Sequence, residues 1–256
     1  MSDGANLNDT KGRLALITGA SGGIGSACAR DFASQGVHLA LTFSSSEQKI
    51  RDFVSSLGPI ISKHSIIVSI HKVDLEDTKD YDGLFKEIQQ QHARPVDILI
   101  SNAGYGKRIQ DVWNIPLEEF NRMISINLTA SFLLVKGVVE GMRDQRWGRI
   151  IFISSIAAYG AGLNGCHYAA SKAGTIGMMR NLSSRLAEFN ISVNDVAPAM
   201  VGSTGMLPDE STVPGLTDSI PLRRLCTPIE VANAVTMFAT TGFATGQSLV
   251  VGGGLR

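Results

Sequence analysis

At 256 residues, 44% hydrophobic and 18% charged, the chain can bury one large core and is too apolar to be disordered. Lysine plus arginine balances aspartate plus glutamate at 23 each, so no net charge recruits it to nucleic acid or to an anionic membrane, and a diffusible small molecule is the expected partner. No apolar run reaches the ~20 residues of a membrane span.

The opening residues MSDGANLNDTKG hold neither an apolar core nor the basic charge of a targeting segment. They read as a flexible tail over residues 1–12. Cys28, Cys166 and Cys226 are odd in number and form no CxxC pair. That usage fits a reducing compartment, so a cytoplasmic location is expected.

From there, short apolar runs alternate with helical patterns. Leu14 to Thr18, Val37 to Phe43, Ser65 to Val73, Val96 to Ile100, Ile150 to Ser154, Ser192 to Val196 and Ser248 to Val251 read as strands. The segment SACARDFASQG after the first strand reads as a helix, as do Glu47 to Leu57, Tyr81 to His92, Leu117 to Met142, Tyr168 to Phe189 and Pro228 to Thr240. The alternation predicts an α/β fold with one domain over residues 13–256, a doubly wound parallel sheet of about seven strands flanked by helices. Ala199 to Ile220 is the longest irregular stretch and reads as a lid or binding loop.

The first strand runs into Thr18-Gly19-Ala20-Ser21-Gly22-Gly23-Ile24-Gly25 and at once into a helical pattern. Glycines let the backbone turn tightly and approach a pyrophosphate, which free N–H groups at the helix start then hold. The spacing of Gly19, Gly23 and Gly25 is GxxxGxG, not the broader GxGxxG.

Later in the chain Tyr168 and Lys172 stand four residues apart, on one face of a helix. Ser155 lies thirteen residues before Tyr168 at a strand end, and Asn127 falls in the long helical stretch before that strand. A phenol of ordinary pKa about 10 is protonated at neutral pH and can supply a proton to an oxyanion that develops beside it. An ammonium about 5 Å away, at an effective dielectric of about 20, is worth roughly 3 kcal/mol or about two pK units, so Lys172 is expected to bring the phenol towards neutrality. Cys166 and His167 beside the tyrosine suggest a nucleophile or a metal ligand, but the other His and Cys residues lack ligand spacing and no metal is expected.

These motifs resemble the short-chain dehydrogenase/reductase family, from about Arg13 to Gly254. The resemblance rests on the glycine loop, on Asp74-Leu75, and on Ser101-Asn102-Ala103-Gly104, which is similar to the family's NNAG. It extends to Asn127, Ser155, Tyr168 and Lys172, to a PGxxxT-like segment from Pro198, to Thr227 through Ala232, and to Gly246-Gln247 through Gly254. It implies a single-domain Rossmann fold and hydride exchange between nicotinamide and a carbonyl or alcohol carbon. Tyr168 would be the acid, Lys172 its tuner, Ser155 the group that polarises the substrate oxygen, and Asn127 the holder of a water that links Lys172 to solvent. The thirteen-residue count to Tyr168 favours Ser155 over Ser154.

For the cofactor, the resemblance implies Gly19, Ser21, Gly22, Gly23, Ile24 and Gly25 at the pyrophosphate, and Asp74 and Leu75 at the adenine. Asn102, Ala103, Gly104, Tyr168, Lys172, Pro198, Val201 and Ser203 follow towards the nicotinamide. At the second strand's end, Ser44, Ser45 and Ser46 precede the first carboxylate, Glu47. Hydroxyls there suit a 2′-phosphate and an acid would repel it, so NADP is expected.

The chain looks most like the 3-oxoacyl-(acyl carrier protein) reductases, which implies a carbonyl or alcohol substrate that could be carrier-bound. Arg146 falls where those enzymes offer a basic residue to the carrier, and Phe189 stands in place of a second one. Tyr105, Ala157, Tyr159, Leu163, Met200, Met206 and Leu207 are candidate substrate walls. Family members assemble as tetramers or dimers through the helices that carry Asn127 and Tyr168. Other readings are an NAD-linked alcohol dehydrogenase and a non-catalytic NADP-sensing Rossmann protein.

Overall fold

The computed structural model describes residues 7–77, 79–160, 163–205, 207, 215 and 217–255. Its strands are β1 (Leu14–Ile17), β2 (His38–Phe43), β3 (Val68–Lys72), β4 (Ile98–Ser101), β5 (Gly148–Ile153), β6 (Ile191–Pro198) and β7 (Ser248–Val251). They form one seven-stranded sheet in the order β3-β2-β1-β4-β5-β6-β7, and every pairing is parallel. Strands β1, β4, β5 and β6 are buried along their whole length. Helices cover both faces of the sheet, which is why these strands read as continuous apolar runs and not as alternation.

The two-residue period sorts side chains between two cores. Ala15, Ile17, Ile151 and Ile153 face the core formed with α1 (Gly23–Ser34) and α8 (Pro228–Thr240). Leu14, Leu16, Ile150 and Phe152 face the other, formed with α4 (Asp80–His92), α6 (Ala130–Asp144) and α7 (Cys166–Leu186). The remaining helices are α2 (Glu47–Ser56), α3 (Gly58–His64) and α5 (Leu117–Ile124).

Three local expectations change. The chain forms α3 between the expected helix and strand, where no element was read, and Ser65, at φ 53°, ends it, so the strand read from Ser65 starts at Val68. The long helix from Leu117 is interrupted by one π turn, Ser125–Thr129, which carries Asn127. By length and composition, Leu117–Asp144 is apolar enough to cross a membrane, but here it lies along the sheet and contributes Leu134, Val138 and Met142 to the core.

The expected tail also changes in its described part. The Leu7 carbonyl accepts from Trp147 Nε1 (3.0 Å) and Arg149 Nη2 (2.7 Å), Thr10 is buried, and Gly12 N–H bonds the Gly36 carbonyl at 2.8 Å. Side-chain donors at the start of β5 and the Gly36 carbonyl hold residues 7–12 in place. Met1 to Ala5 and Asn6 lie outside the described residues.

Candidate active site

The strand order reverses between β1 and β4, so their crossovers leave in opposite directions and a crevice opens at the strands' C-terminal ends. A cavity of about 430 Å³ lies there. Gly19, at φ 64°, turns the chain out of β1 in a conformation that favours glycine. Ser21, Gly22, Gly23 and Ile24 line the cavity beside it. Gly22 caps α1 without a side-chain bond, and the first helical turn leaves N–H groups without helical acceptors.

Gly25 serves packing instead. A Cβ there would stand 2.5 Å from the Gly19 carbonyl oxygen and 2.9 Å from Asn102 Nδ2. Asn102 Nδ2 donates to the Thr18 carbonyl at 2.7 Å, while Thr18 Oγ1 accepts from the N–H groups of Asn102 and Ala103, both at 3.0 Å. This lattice holds Asn102, Ala103 and Gly104 on the cavity wall. Ser101 bonds the Ser131 hydroxyl at 3.0 Å, and Ser131 donates to the Asn127 carbonyl at 2.9 Å.

At the end of β2, Ser44 lines the cavity, whereas Ser45 and Ser46 are exposed outside its lining. Glu47 is paired with Arg51 at 2.6 Å. Asp74 and Leu75 also lie outside the lining: Asp74 Oδ1 accepts from the Glu76 N–H at 2.9 Å, and the Leu75 carbonyl accepts from the Tyr81 hydroxyl at 3.1 Å. On the opposite wall are Pro198 and Val201, together with Thr204 where Ser203 was expected. Ser203, at φ 57°, places its carbonyl oxygen 2.5 Å from where a Gly23 Cβ would stand, so its backbone packs on the glycine loop.

Ser155, Tyr168 and Lys172 line the same cavity. Gly165 caps α7 and leaves room for the Ile109 carbonyl, which would lie 1.8 Å from a Cβ at that position. Tyr168 and Lys172 are both buried. Lys172 Nζ donates to the Ile153 carbonyl at 2.9 Å and stands 5.9 Å from the Tyr168 ring centroid. Asn127 is buried, with Oδ1 accepting from the Tyr105 N–H (2.8 Å) and Nδ2 donating to the Tyr105 carbonyl (2.9 Å) and Ser171 Oγ (3.0 Å). A Cβ on Gly104 would fall 3.2 Å from Lys172 Nζ and 3.3 Å from Asn127 Oδ1, so both atoms border the same point.

The electrostatics differ from the expectation that Lys172 lowers the phenol. Burial raises the Tyr168 pKa, and the Ser155 hydrogen bond only partly opposes it. Burial also lowers Lys172 to about 8, with Asp195 pulling the other way. Desolvation disfavours the charged form of each, so the phenol is held protonated. The two serines are told apart as well. Ser154 donates to Asp195 Oδ2 at 2.7 Å, whereas the Ser155 oxygen accepts from the Ala157 N–H at 3.2 Å and is bonded to the tyrosine.

Comparison with known proteins gives the arrangement a lineage. A family model described as short chain dehydrogenase matches residues 13–213. The chain belongs to the short-chain dehydrogenase family. It is similar to the 3-oxoacyl-(acyl-carrier-protein) reductase FabG of Rickettsia bellii, with 36% identity over 96% of this chain and 98% of that one. A 3-oxoacyl-(acyl-carrier protein) reductase from Brucella melitensis, solved with bound NAD, superposes with a TM-score of 0.84 at 27% identity, covering 100% of this chain and 97% of its own. A 7α-hydroxysteroid dehydrogenase complexed with NADH and 7-oxo glycochenodeoxycholic acid gives 0.86 at 28% identity, covering 99% and 98%.

Some residues of this short-chain dehydrogenase escaped the sequence reading. Asp195, fully buried in β6, is pushed up by desolvation and takes hydrogen bonds from Ser154 and Ser248. A carboxylate inside a buried strand was the available signal. Arg108 and Asn164 also line the cavity, and both lie in loops without a spacing pattern.

Of the expected walls, Leu163, Met200 and Leu207 line the cavity. Ala157 packs beneath it with Met123 and Tyr168, against Tyr105. Tyr159 instead donates its hydroxyl to Ser248 at 2.6 Å, and Met206 lies outside the described residues. Arg146 bonds the Glu188 carbonyl at 2.6 Å and stacks on Phe189 just before β5 begins, at the sheet end opposite the cavity.

Proposed function

We propose that this short-chain dehydrogenase is an NADPH-dependent reductase that converts a ketone, a 3-oxoacyl or small carbonyl compound, to an alcohol with Tyr168 as general acid. The observation that carries this reading is the Tyr168 phenol, kept protonated by burial and bonded to Ser155 on the wall of the cavity. Ser155 positions the substrate oxygen. Tyr168 gives that oxygen its proton as negative charge develops there, and Lys172, still mostly charged at neutral pH with its pKa near 8, stabilises the phenolate that results. Asn127 fixes the loop at Tyr105 and borders Lys172 on the route by which a proton returns.

A nicotinamide dinucleotide fits the cradle because Gly19, Gly22 and Gly23 line the cavity at the start of α1 with bare backbone, held in place by close packing on Ala103 and Ser203. When bound it supplies the hydride. Ser21 to Ile24 would hold the pyrophosphate and Gly25 the packing behind it; Asp74 and Leu75 would flank the adenine. Asn102 to Gly104, Pro198, Val201 and the Ser203-Thr204 pair would hold the nicotinamide end. Ser44 on the cavity, with Ser45 and Ser46 next in the chain and Glu47 neutralised by Arg51, supports NADP. The Brucella relative's bound NAD favours NAD as the second reading.

The FabG relatives support a 3-oxoacyl substrate. The α6–α7 groove, about 750 Å³ and lined by Phe132, Val139, Met178 and Leu182 among others, supports a homo-oligomer, a tetramer or dimer. Three free thiols support a cytoplasmic location. The test is oxidation of NADPH, and separately NADH, by purified protein against β-keto esters, diketones and quinones. Turnover is expected with NADPH, and Tyr168→Phe should lose about 10²- to 10⁴-fold in kcat while still binding NADPH. Tight NADPH binding without turnover would favour the sensor reading.

A further inference from the structure

The loop after β4 and the helix α5 carry the cations Lys107, Arg108 and Arg122, and two of them are neutralised. Lys107 bonds Glu119 at 2.9 Å, and Arg122 pairs with Glu76 at 3.1 Å while stacking on Tyr105 at 4.7 Å. Arg108, next to Lys107 in the chain, is exposed and forms no hydrogen bond or ion pair with another described residue, yet it lines the cavity.

Its place along that cavity is fixed by its neighbours in the chain. Gly106 lies against the Tyr168 ring, since a Cβ there would meet Cε2 at 3.6 Å. The Lys107 carbonyl bonds His167 Nε2 at 3.1 Å. The Ile109 carbonyl occupies the space beside Gly165. The segment from 106 to 109 is therefore fastened to the start of α7, and Arg108 lies at the Tyr168 end of the cavity, away from the glycine loop.

Among the described residues no aspartate or glutamate lines the cavity, and its charged lining is Arg108 and Lys172, both cationic. Lys172 is buried beneath the reacting position, which leaves Arg108 as the solvent-facing cation. Asn164, whose side chain also lacks a described partner, lines the cavity too and can add an amide donor. A guanidinium with an amide beside it is a donor set for an oxyanion.

We infer that Arg108 is a specificity-determining residue that binds a carboxylate carried by the ketone substrate, so that the preferred substrates are short oxo acids. This rests on the ketoreductase reading above. The anion must lie within one arginine side chain of the carbonyl that Tyr168 protonates. A carboxylate a few bonds from the ketone satisfies that spacing, and a phosphate at the far end of a pantetheine arm does not.

The test compares matched pairs, 3-oxohexanoate with its methyl ester and 4-oxopentanoate with its methyl ester, in the wild type, Arg108→Gln and Arg108→Lys. The readout is the acid-to-ester ratio of kcat/KM. A charge-assisted pair predicts a wild-type ratio that falls about 10- to 100-fold in Arg108→Gln, is partly restored in Arg108→Lys, and shrinks as salt is raised. A ratio that Arg108→Gln leaves unchanged while the esters are still reduced would overturn the inference and leave the ketoreductase reading standing. A preference for acetoacetyl-CoA over acetoacetyl-N-acetylcysteamine that Arg108→Gln abolishes would also overturn it, because the anion would then be the phosphate. Absence of turnover with every substrate would overturn both readings.

Discussion

Tyr168 and Lys172 influence each other less through charge than through the burial they share. Desolvation raises the phenol and lowers the ammonium to about 8, so Lys172 loses its proton just above neutrality. Its folded pKa lies below the ordinary 10.5, so the charged form dominates only below about pH 8, and an anionic dinucleotide favours that form. NADPH affinity, measured by fluorescence of the bound nicotinamide, should hold level to about pH 7 and weaken as pH rises through about 8. Lys172→Met should flatten that profile, and a wild-type profile flat to pH 10 would overturn the assignment. The pairing of Tyr168 with Lys172 and its distance from Ser155 were legible because helix period and a fixed count carry them. The count also picked Ser155 over Ser154, but the physical reason that Ser154 is taken was not legible, because it lies in Asp195, some forty residues further on in β6 and apparent only once β5 and β6 pair.

At the scale of elements, α7 acts through its first turn. Gly165 caps it and admits the Ile109 carbonyl into a space that any side chain would fill. Gly165→Ala should push the 106–109 loop off the helix and misplace Tyr168, three residues on. A displacement near 1 Å can cost about 100-fold in rate, so kcat/KM should fall 10- to 100-fold with far-ultraviolet circular dichroism unchanged. Activity within twofold of wild type would mean the loop relaxes freely. The strands were legible because burial on both faces makes apolar runs, and α8 because Thr227 and Glu230 form a complete capping box with Pro228 in the first turn. Helix α3 was not, since Gly58-Pro59 reads as a break although proline is at home in a first helical turn. The π turn at Asn127 was also hidden, because one widened turn barely shifts the apolar pattern on either side.

Across the whole molecule, the end of the sheet opposite the cavity is gathered by Arg149. It is fully buried, and it donates to the carbonyls of Ala239 (3.2 Å), Gly148 (2.8 Å) and Leu7 (2.7 Å). One side chain thus joins α8, β5 and the chain's early segment, and it stacks on Trp147 at 4.2 Å. The parallel sheet and its doubly wound cover followed from strand and helix alternation, but this anchor did not, because an arginine at a strand start reads as solvent-facing. Burial lowers its pKa to about 10, with the Arg13 charge adding to the effect, so it remains cationic at neutral pH with carbonyls in place of a carboxylate. Removing the guanidinium takes a donor from the buried Ala239 and Gly148 carbonyls, at about 1 to 3 kcal/mol each, and one of two donors from the Leu7 carbonyl. Arg149→Met should therefore lower stability by at least about 3 kcal/mol, which for a domain of this size is roughly 6 to 12 °C in Tm. Trp147 reports the loss directly, since it is buried whereas Trp113 is exposed and adds a constant background. Arg13 also stacks on Trp147, at 4.0 Å, but is partly exposed and shares Asp97 with Arg94. Arg13→Met should cost about 1 kcal/mol or less. If the two variants melt within about 1 kcal/mol of each other, the carbonyl network does not hold this end together, and stacking on the indole accounts for both arginines.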